Sequence, residues 1–99
     1  MNALVTNPLV SIVIPVYNRE LYIEDAIRSA ISQTYQNIEI IIVDNCSTDS
    51  TWDILNEWEK KDNRIKIFQN DSNIGPVLNW NECFRHASGE YIKILWSDD

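Results

Sequence analysis

Residues 10–18, VSIVIPVYN, constrain the fold more than any other stretch of the chain. Their apolar members are β-branched Val and Ile up to Pro15, a composition suited to a strand buried on both faces, as in a parallel sheet covered by helices. Pro15 has no N–H to offer a ladder and closes the strand. Tyr17 and Asn18 then follow at its carboxyl end, which in open α/β sheets is the ligand-binding end.

The period changes immediately afterwards. Ile23, Ala26, Ile27, Ala30 and Ile31 form one helical stripe, predicting a helix over 20–33 with Glu20, Glu24 and Asp25 near its positive amino end. A second β-branched run, Ile38-Glu39-Ile40-Ile41-Ile42-Val43, ends at Asp44-Asn45-Cys46-Ser47. Ser50-x-x-Asp53 resembles a capping box and starts a helix over 51–61 that buries Ile54, Leu55 and Trp58. Ile65-Lys66-Ile67-Phe68-Gln69 alternates, as a strand near a sheet edge does. After a polar turn at 70–75, Pro76 opens a third helix whose apolar stripe is Trp80, Cys83, Phe84 and Ala87 and whose end is Gly89. Tyr91-Ile92-Lys93-Ile94-Leu95-Trp96 reads as a fourth, buried strand, with Ser97-Asp98-Asp99 at its carboxyl end. The order βαβαβαβ predicts an α/β fold, a three-layer α/β/α arrangement with a mainly parallel sheet and right-handed crossovers. All the polar tips then share one edge.

At 99 residues the chain is a single domain. Its net charge of −7 disfavours nucleic acid and anionic membrane surfaces as direct partners, so an anionic ligand needs local help. Cys46 and Cys83 lack C-x-x-C spacing and read as free thiols in a reducing compartment. With no leader-like amino terminus and no run approaching the ~18 apolar residues of a transmembrane helix, a cytoplasmic location is expected. Gly75 and Gly89 are the only glycines, which excludes the dinucleotide and phosphate-loop signatures. The single histidine, His86, lies within a helix and suits packing or solvent rather than catalysis, and a Ser-His-Asp triad has no other histidine to use.

The chemistry therefore rests on the strand tips. Asp98 and Asp99 are hard oxygen donors suited to Mg²⁺ or Mn²⁺, or else a plain terminal turn. A phosphate oxygen about 4 Å from one carboxylate is repelled by roughly 4 kcal/mol at an effective dielectric near 20, and an intervening divalent ion reverses that sign. Asp44 and Asn45 are either a local turn or hydrogen-bonding groups for a base or ribose. Tyr17 is either a packing ring or a face for a nucleobase. Trp52, Trp58, Trp80 and Trp96 read as core.

The segments VSIVIPVYNRE, IEIIIVDNCSTDST, NIGPVLNWN and ASGEYIKILWSDD occur in the order found in family 2 glycosyltransferases, and the chain from residue 10 onward resembles the nucleotide-sugar-binding half of their GT-A fold. The resemblance implies a strand order of 3-2-1-4 (a Rossmann-like GT-A half), with Tyr17 and Asp98 facing one crevice. It assigns Pro15, Tyr17, Asn18, Asp44, Asn45 and Asp98 to donor binding and Asp99 to the metal, Mn²⁺ or Mg²⁺. Asn45 stands where a second Asp is commoner, and Trp80 where many members carry Arg. The implied reaction is inverting transfer of a sugar from a nucleoside-diphosphate donor, a UDP-sugar favoured, to a hydroxyl of a carbohydrate or lipid-linked acceptor, with the general base expected beyond Asp99. On this reading residues 1–9 are an N-terminal extension and 10–99 a domain truncated after the metal motif, working in the cytoplasm at the inner face of a membrane through partners. The alternative is a noncatalytic remnant that binds nucleotide or forms a homo-oligomer through its sheet edge. A receiver domain would bring acids to the first strand tip, and a sugar nucleotidyltransferase a glycine-rich loop there. Neither feature is present.

Overall fold

Strand β1 (Val10–Val16) lies between β2 (Ile38–Asp44) and β4 (Tyr91–Ile94), and β2 pairs in turn with β3 (Ile65–Gln69). All the pairings are parallel and the order is β3-β2-β1-β4, so the expected 3-2-1-4 arrangement is what forms. This is the computed structural model of the chain, and it describes residues 7–96. Helices α1 (Ile23–Ile31), α2 (Thr51–Lys61) and α3 (Pro76–His86) supply the crossovers.

The two-residue period of β1 and β2 divides the core. Ile12, Ile14, Ile40 and Ile42 pack with Ile23, Ile27 and Ala30 of α1 and Leu55 of α2. Val13, Ile41 and Val43 face the other way, against Cys83 of α3. Each fully buried Ile or Leu contributes roughly 1.5–3 kcal/mol, so this two-sided core is the main source of stability. Cys46 and Cys83 are free, and burial pushes the Cys83 thiol up to about 12.

Several local expectations are corrected. Helix α1 begins at Ile23 rather than residue 20, because the Arg19 carbonyl accepts from both Tyr22 N–H (2.9 Å) and Ile23 N–H (2.8 Å) in a turn that leaves Leu21 81% exposed. The Ser50 capping box does not form: Ser50 makes no side-chain cap bond, and Asp49 Oδ1 takes the Thr51 N–H at 2.9 Å. Strand β4 is not buried. It is a sheet edge, and Tyr91 and Ile92 are exposed while Ile94 reaches the α3 side of the core. In α3 the buried residues are Asn79 and Cys83, and Phe84 turns partly to solvent.

Gly89 does not end α3, which stops at His86. Its backbone lies against β1, where a Cβ would fall 2.6 Å from Ser11 Oγ and 2.7 Å from Leu9 O. There the Gly89 N–H donates to Ser11 Oγ (2.8 Å) and Ser11 Oγ donates to Glu39 Oε2 (2.5 Å). The Ser88 N–H (2.7 Å) and Lys66 Nζ (3.0 Å) also donate to the Glu39 carboxylate, which is 3% exposed. Burial alone would raise the pKa of Glu39, but hydrogen bonds from Ser11, Ser88 and Lys66 outweigh it and hold the carboxyl at about 2. This buried cluster fixes the start of β4 against β1 and β2.

Candidate nucleotide-binding site

The carboxyl ends of β1 and β2 are joined by hydrogen bonds over about thirty residues of separation. Asn18 adopts φ 50°, a left-handed conformation that Asn tolerates better than most residues. From there its Oδ1 accepts from the N–H groups of Thr48 (2.8 Å) and Asp49 (3.3 Å), while its own N–H donates to Ser47 Oγ (2.9 Å). Arg19 N–H donates to Thr51 Oγ1 (2.9 Å) and Asn45 N–H to Val16 O (2.9 Å).

Asp44 is fully buried. Its carboxylate accepts from the Ser47 hydroxyl, from Ser47 N–H (3.2 Å) and from Gln69 Nε2 (3.1 Å), forming the local turn. Asn45, 3% exposed, is hydrogen-bonded to the loop between β3 and α3.

Above these loops opens a cavity of about 340 Å³. The β1 end supplies Pro15, Val16, Tyr17 and Arg19; the β2 end, Asn45; the α3 region, Asn73, Pro76 and Asn79; and Trp96 closes it beyond β4. Tyr17 and Trp96 both keep substantial exposed ring area, 37% and 45%. Trp96 was expected in the core, but β4 is an edge strand and carries it to the cavity, where it packs on Trp80 at 5.6 Å between ring centroids. Trp80 continues to Phe84 at 5.8 Å, and its buried Nε1 has no partner among the described residues.

Among the described residues of the lining Arg19 is the charged one, with Nη1 donating to Tyr17 O (3.2 Å) and Asn18 O (3.1 Å). This guanidinium places a positive charge beside the cavity in a chain of net charge −7. Sequence reasoning passed over Arg19 and Asn79. Arg19 directly follows the Tyr-Asn pair, and Asn79 shares the buried face of α3 with Cys83, four residues on.

Pro15, Tyr17 and Asn45 are thus brought to one cavity, while Asn18 and Asp44 hold its loops. Asp98 and Asp99 lie outside the described residues. Among the described residues no three His, Cys, Asp or Glu side chains are grouped to hold a metal. His86 packs: its ring stacks on Phe68 at 3.7 Å and 10°.

An open parallel α/β sheet with a cavity where the chain reverses direction across the sheet, between β1 and β4, defines a domain of the doubly wound class, in which ligands bind at such a crevice. The Glycosyl transferase family 2 model matches residues 11–99, and the chain belongs to that family. It is 46% identical over 92 residues to an uncharacterized glycosyltransferase of Haemophilus influenzae, covering 93% of this chain and 37% of that protein. It is 48% identical to an Escherichia coli UDP-Glc:alpha-D-GlcNAc-diphosphoundecaprenol beta-1,3-glucosyltransferase, covering 92% of this chain and 36% of that one. Among solved structures, S. aureus TarS 1–349 in complex with UDP superposes with a TM-score of 0.82 at 33% identity, covering 90% of this chain and 27% of that one. A Pyrobaculum calidifontis mannosyltransferase in complex with GDP-Man and Mn²⁺ gives 0.80 at 26%, covering 89% and 27%. The chain therefore has the GT-A architecture and spans about a third of the length of these curated relatives.

Proposed function

We propose that this chain is the donor-binding half of an inverting, metal-dependent glycosyltransferase that takes a nucleoside-diphosphate sugar, a UDP-sugar favoured, and that residues 10–99 form this unit with 1–9 as an extension. One observation carries the reading: Tyr17 and Trp96, from the carboxyl ends of adjacent parallel strands, line the same cavity together with Arg19. The Tyr17 ring takes the base, Pro15 and Asn45 bound its pocket, Arg19 meets the diphosphate, and Asn18 and Asp44 keep the two loops in register. Support for the donor comes from TarS, a 33% identical protein whose structure holds UDP-GlcNAc.

Asp98 and Asp99, at the end of the chain after Trp96, are the residues assigned to ribose and metal. Their carboxylates match the oxygen preference of Mn²⁺ and Mg²⁺, and the mannosyltransferase complex with Mn²⁺ supports that choice. When bound, such an ion stabilises negative charge on the departing diphosphate. The acceptor is a hydroxyl of a carbohydrate or lipid-linked chain, in keeping with the diphosphoundecaprenol named for the E. coli relative, and the site of action is the cytoplasmic face of a membrane. The general base is assigned to the part of the longer relatives that this chain does not span.

A thermal-shift panel of UDP, TDP and GDP with and without Mn²⁺, followed by calorimetry, tests the reading. Stabilisation by UDP that requires Mn²⁺ and is lost in Asp99→Ala is expected. Indifference to all three nucleotides contradicts it. A second reading, self-association through β4, draws on the exposed Tyr91 and Ile92 along that edge. A monomer over a wide concentration range in sedimentation would count against it.

A further inference from the structure

Four asparagine amides form one chain of hydrogen bonds beneath the cavity. Asn45 donates from Nδ2 to Asn73 Oδ1 (2.8 Å) and Gly75 O (3.3 Å), and accepts at Oδ1 from Ile74 N–H (2.9 Å) and Asn70 Nδ2 (3.0 Å). A carboxamide has two donor hydrogens and an oxygen with two lone pairs, so this side chain has no capacity left. Its orientation is also determined. The N–H groups of Ile74 and Gly75 can only donate, so the oxygens of Asn45 and Asn73 must face them (2.9 and 2.8 Å) and the Asn45 NH₂ must face the Asn73 oxygen. The relay continues from Asn70 Nδ2 to Asn79 Oδ1 (2.8 Å) and from Asn79 Nδ2 to Val43 O (3.2 Å), anchoring it in the backbone of β2.

We infer that Asn45 is a positioning residue of the donor site, holding the loop that carries Asn73 and Pro76 as one wall of the cavity, and that it does not itself bind the base. The inference rests on the donor-site reading above. A carboxylate at position 45 donates nothing and would face the oxygens of Asn73 and Gly75, so the relay requires an amide. A direct contact to a base N–H would be served as well by a carboxylate as by an amide. Among the described residues, the charged groups near position 45 are Arg19 in the same cavity, Asp44 with its carboxylate turned to Ser47 and Gln69, and Asp71 in the loop that Asn45 holds.

Asn45→Asp separates the two roles. Relative to wild type at the same pH, its UDP affinity in Mn²⁺ should be about 10- to 100-fold weaker at pH 8, from two lost donor bonds, and should recover in part as pH falls, because the two oxygens the introduced carboxyl faces favour its protonation and the acid then donates one bond. Affinity equal to wild type at pH 8 overturns the inference. A measurement without nucleotide keeps the two readings apart. In the wild-type protein the Ile74 and Gly75 N–H groups should be protected from hydrogen exchange, and Asn73→Ala should expose Gly75. Exchange of both at the rate of open loop amides in wild type also overturns it, whether or not any nucleotide binds. Failure of wild type to bind UDP with those amides protected would instead count against the donor-site reading alone.

Discussion

Asn18 Oδ1 accepts the Thr48 N–H at 2.8 Å, joining the loop after β1 to the loop after β2 across thirty residues of sequence. The same oxygen takes the Asp49 N–H, and the Asn18 backbone takes up φ 50° to reach them. This clamp adds to the Arg19–Thr51 and Asn45–Val16 bonds that fix the spacing of the cavity walls. Asn18→Ala should therefore cost about 1–3 kcal/mol, combining unsatisfied N–H groups with left-handed strain. Asn18→Gly should cost less, since it relieves the strain and loses only the bonds. Urea denaturation of both variants checks the order, and equal losses would show that the conformation carries no strain.

Glu39 links stability to pH. Its carboxyl lies at about 2 in the folded protein against an ordinary 4.5, so the folded state holds fewer protons than the unfolded chain across that window. The stabilisation is present above pH 4.5 and is lost as pH falls from there through about 2. The shift corresponds to about 3 kcal/mol. A thermal-melting series from pH 7 to pH 3 should show the fall, and Glu39→Gln should be less stable at pH 7 with a flatter profile.

The two glycines are expected to respond differently to a methyl group. At Gly89 a Cβ meets the backbone of Leu9 and Ser11 at 2.7 and 2.8 Å, where β4 begins, and the chain cannot give way without moving that strand. Gly89→Ala should cost about 1–3 kcal/mol or more. At Gly75 nothing lies within 4 Å and the cost is conformational, at φ 86° and ψ 161°, of about 1–3 kcal/mol. Hydrogen exchange across β4 distinguishes them: Gly89→Ala should loosen the strand and Gly75→Ala should leave it protected.

Tyr17 and Trp96 should each contribute to nucleotide affinity. An aromatic face stacked on a base is worth about 1–3 kcal/mol, so Tyr17→Ala should weaken UDP binding roughly 5- to 150-fold. Trp80→Ala should act through Trp96, its neighbour at 5.6 Å, with a smaller loss. Calorimetry on Tyr17→Ala, Trp96→Ala and Trp80→Ala checks this, and an unchanged Tyr17→Ala affinity would remove the base from that ring.

Much of the fold was legible because β1 and β2 are β-branched runs and α1 has an unbroken stripe, patterns that burial on two faces or one imposes. Strand order came from the family resemblance, since periodicity does not encode neighbours. Exposure along β4 was not legible in its residue pattern, because Ile92 and Trp96 look like core residues; the edge position that leaves them open followed from the 3-2-1-4 order the resemblance implied. Glu39 was hidden for the opposite reason. A single acid in an apolar run reads as a solvent-facing position, and its partners Ser11, Ser88 and Lys66 lie on three other segments. At the site, Tyr17 and Pro15 were readable from their place after β1, whereas the inward turn of Asp44 depends on Gln69, twenty-five residues away.

The most direct test follows the backbone amide resonances and the Trp96 indole N–H while UDP is added in the presence of Mn²⁺. The account predicts saturable shifts at Tyr17, Arg19, Asn73 and Trp96, with α2 and β3 unmoved. Shifts centred on α2 or β3, or no saturable change anywhere, would contradict it.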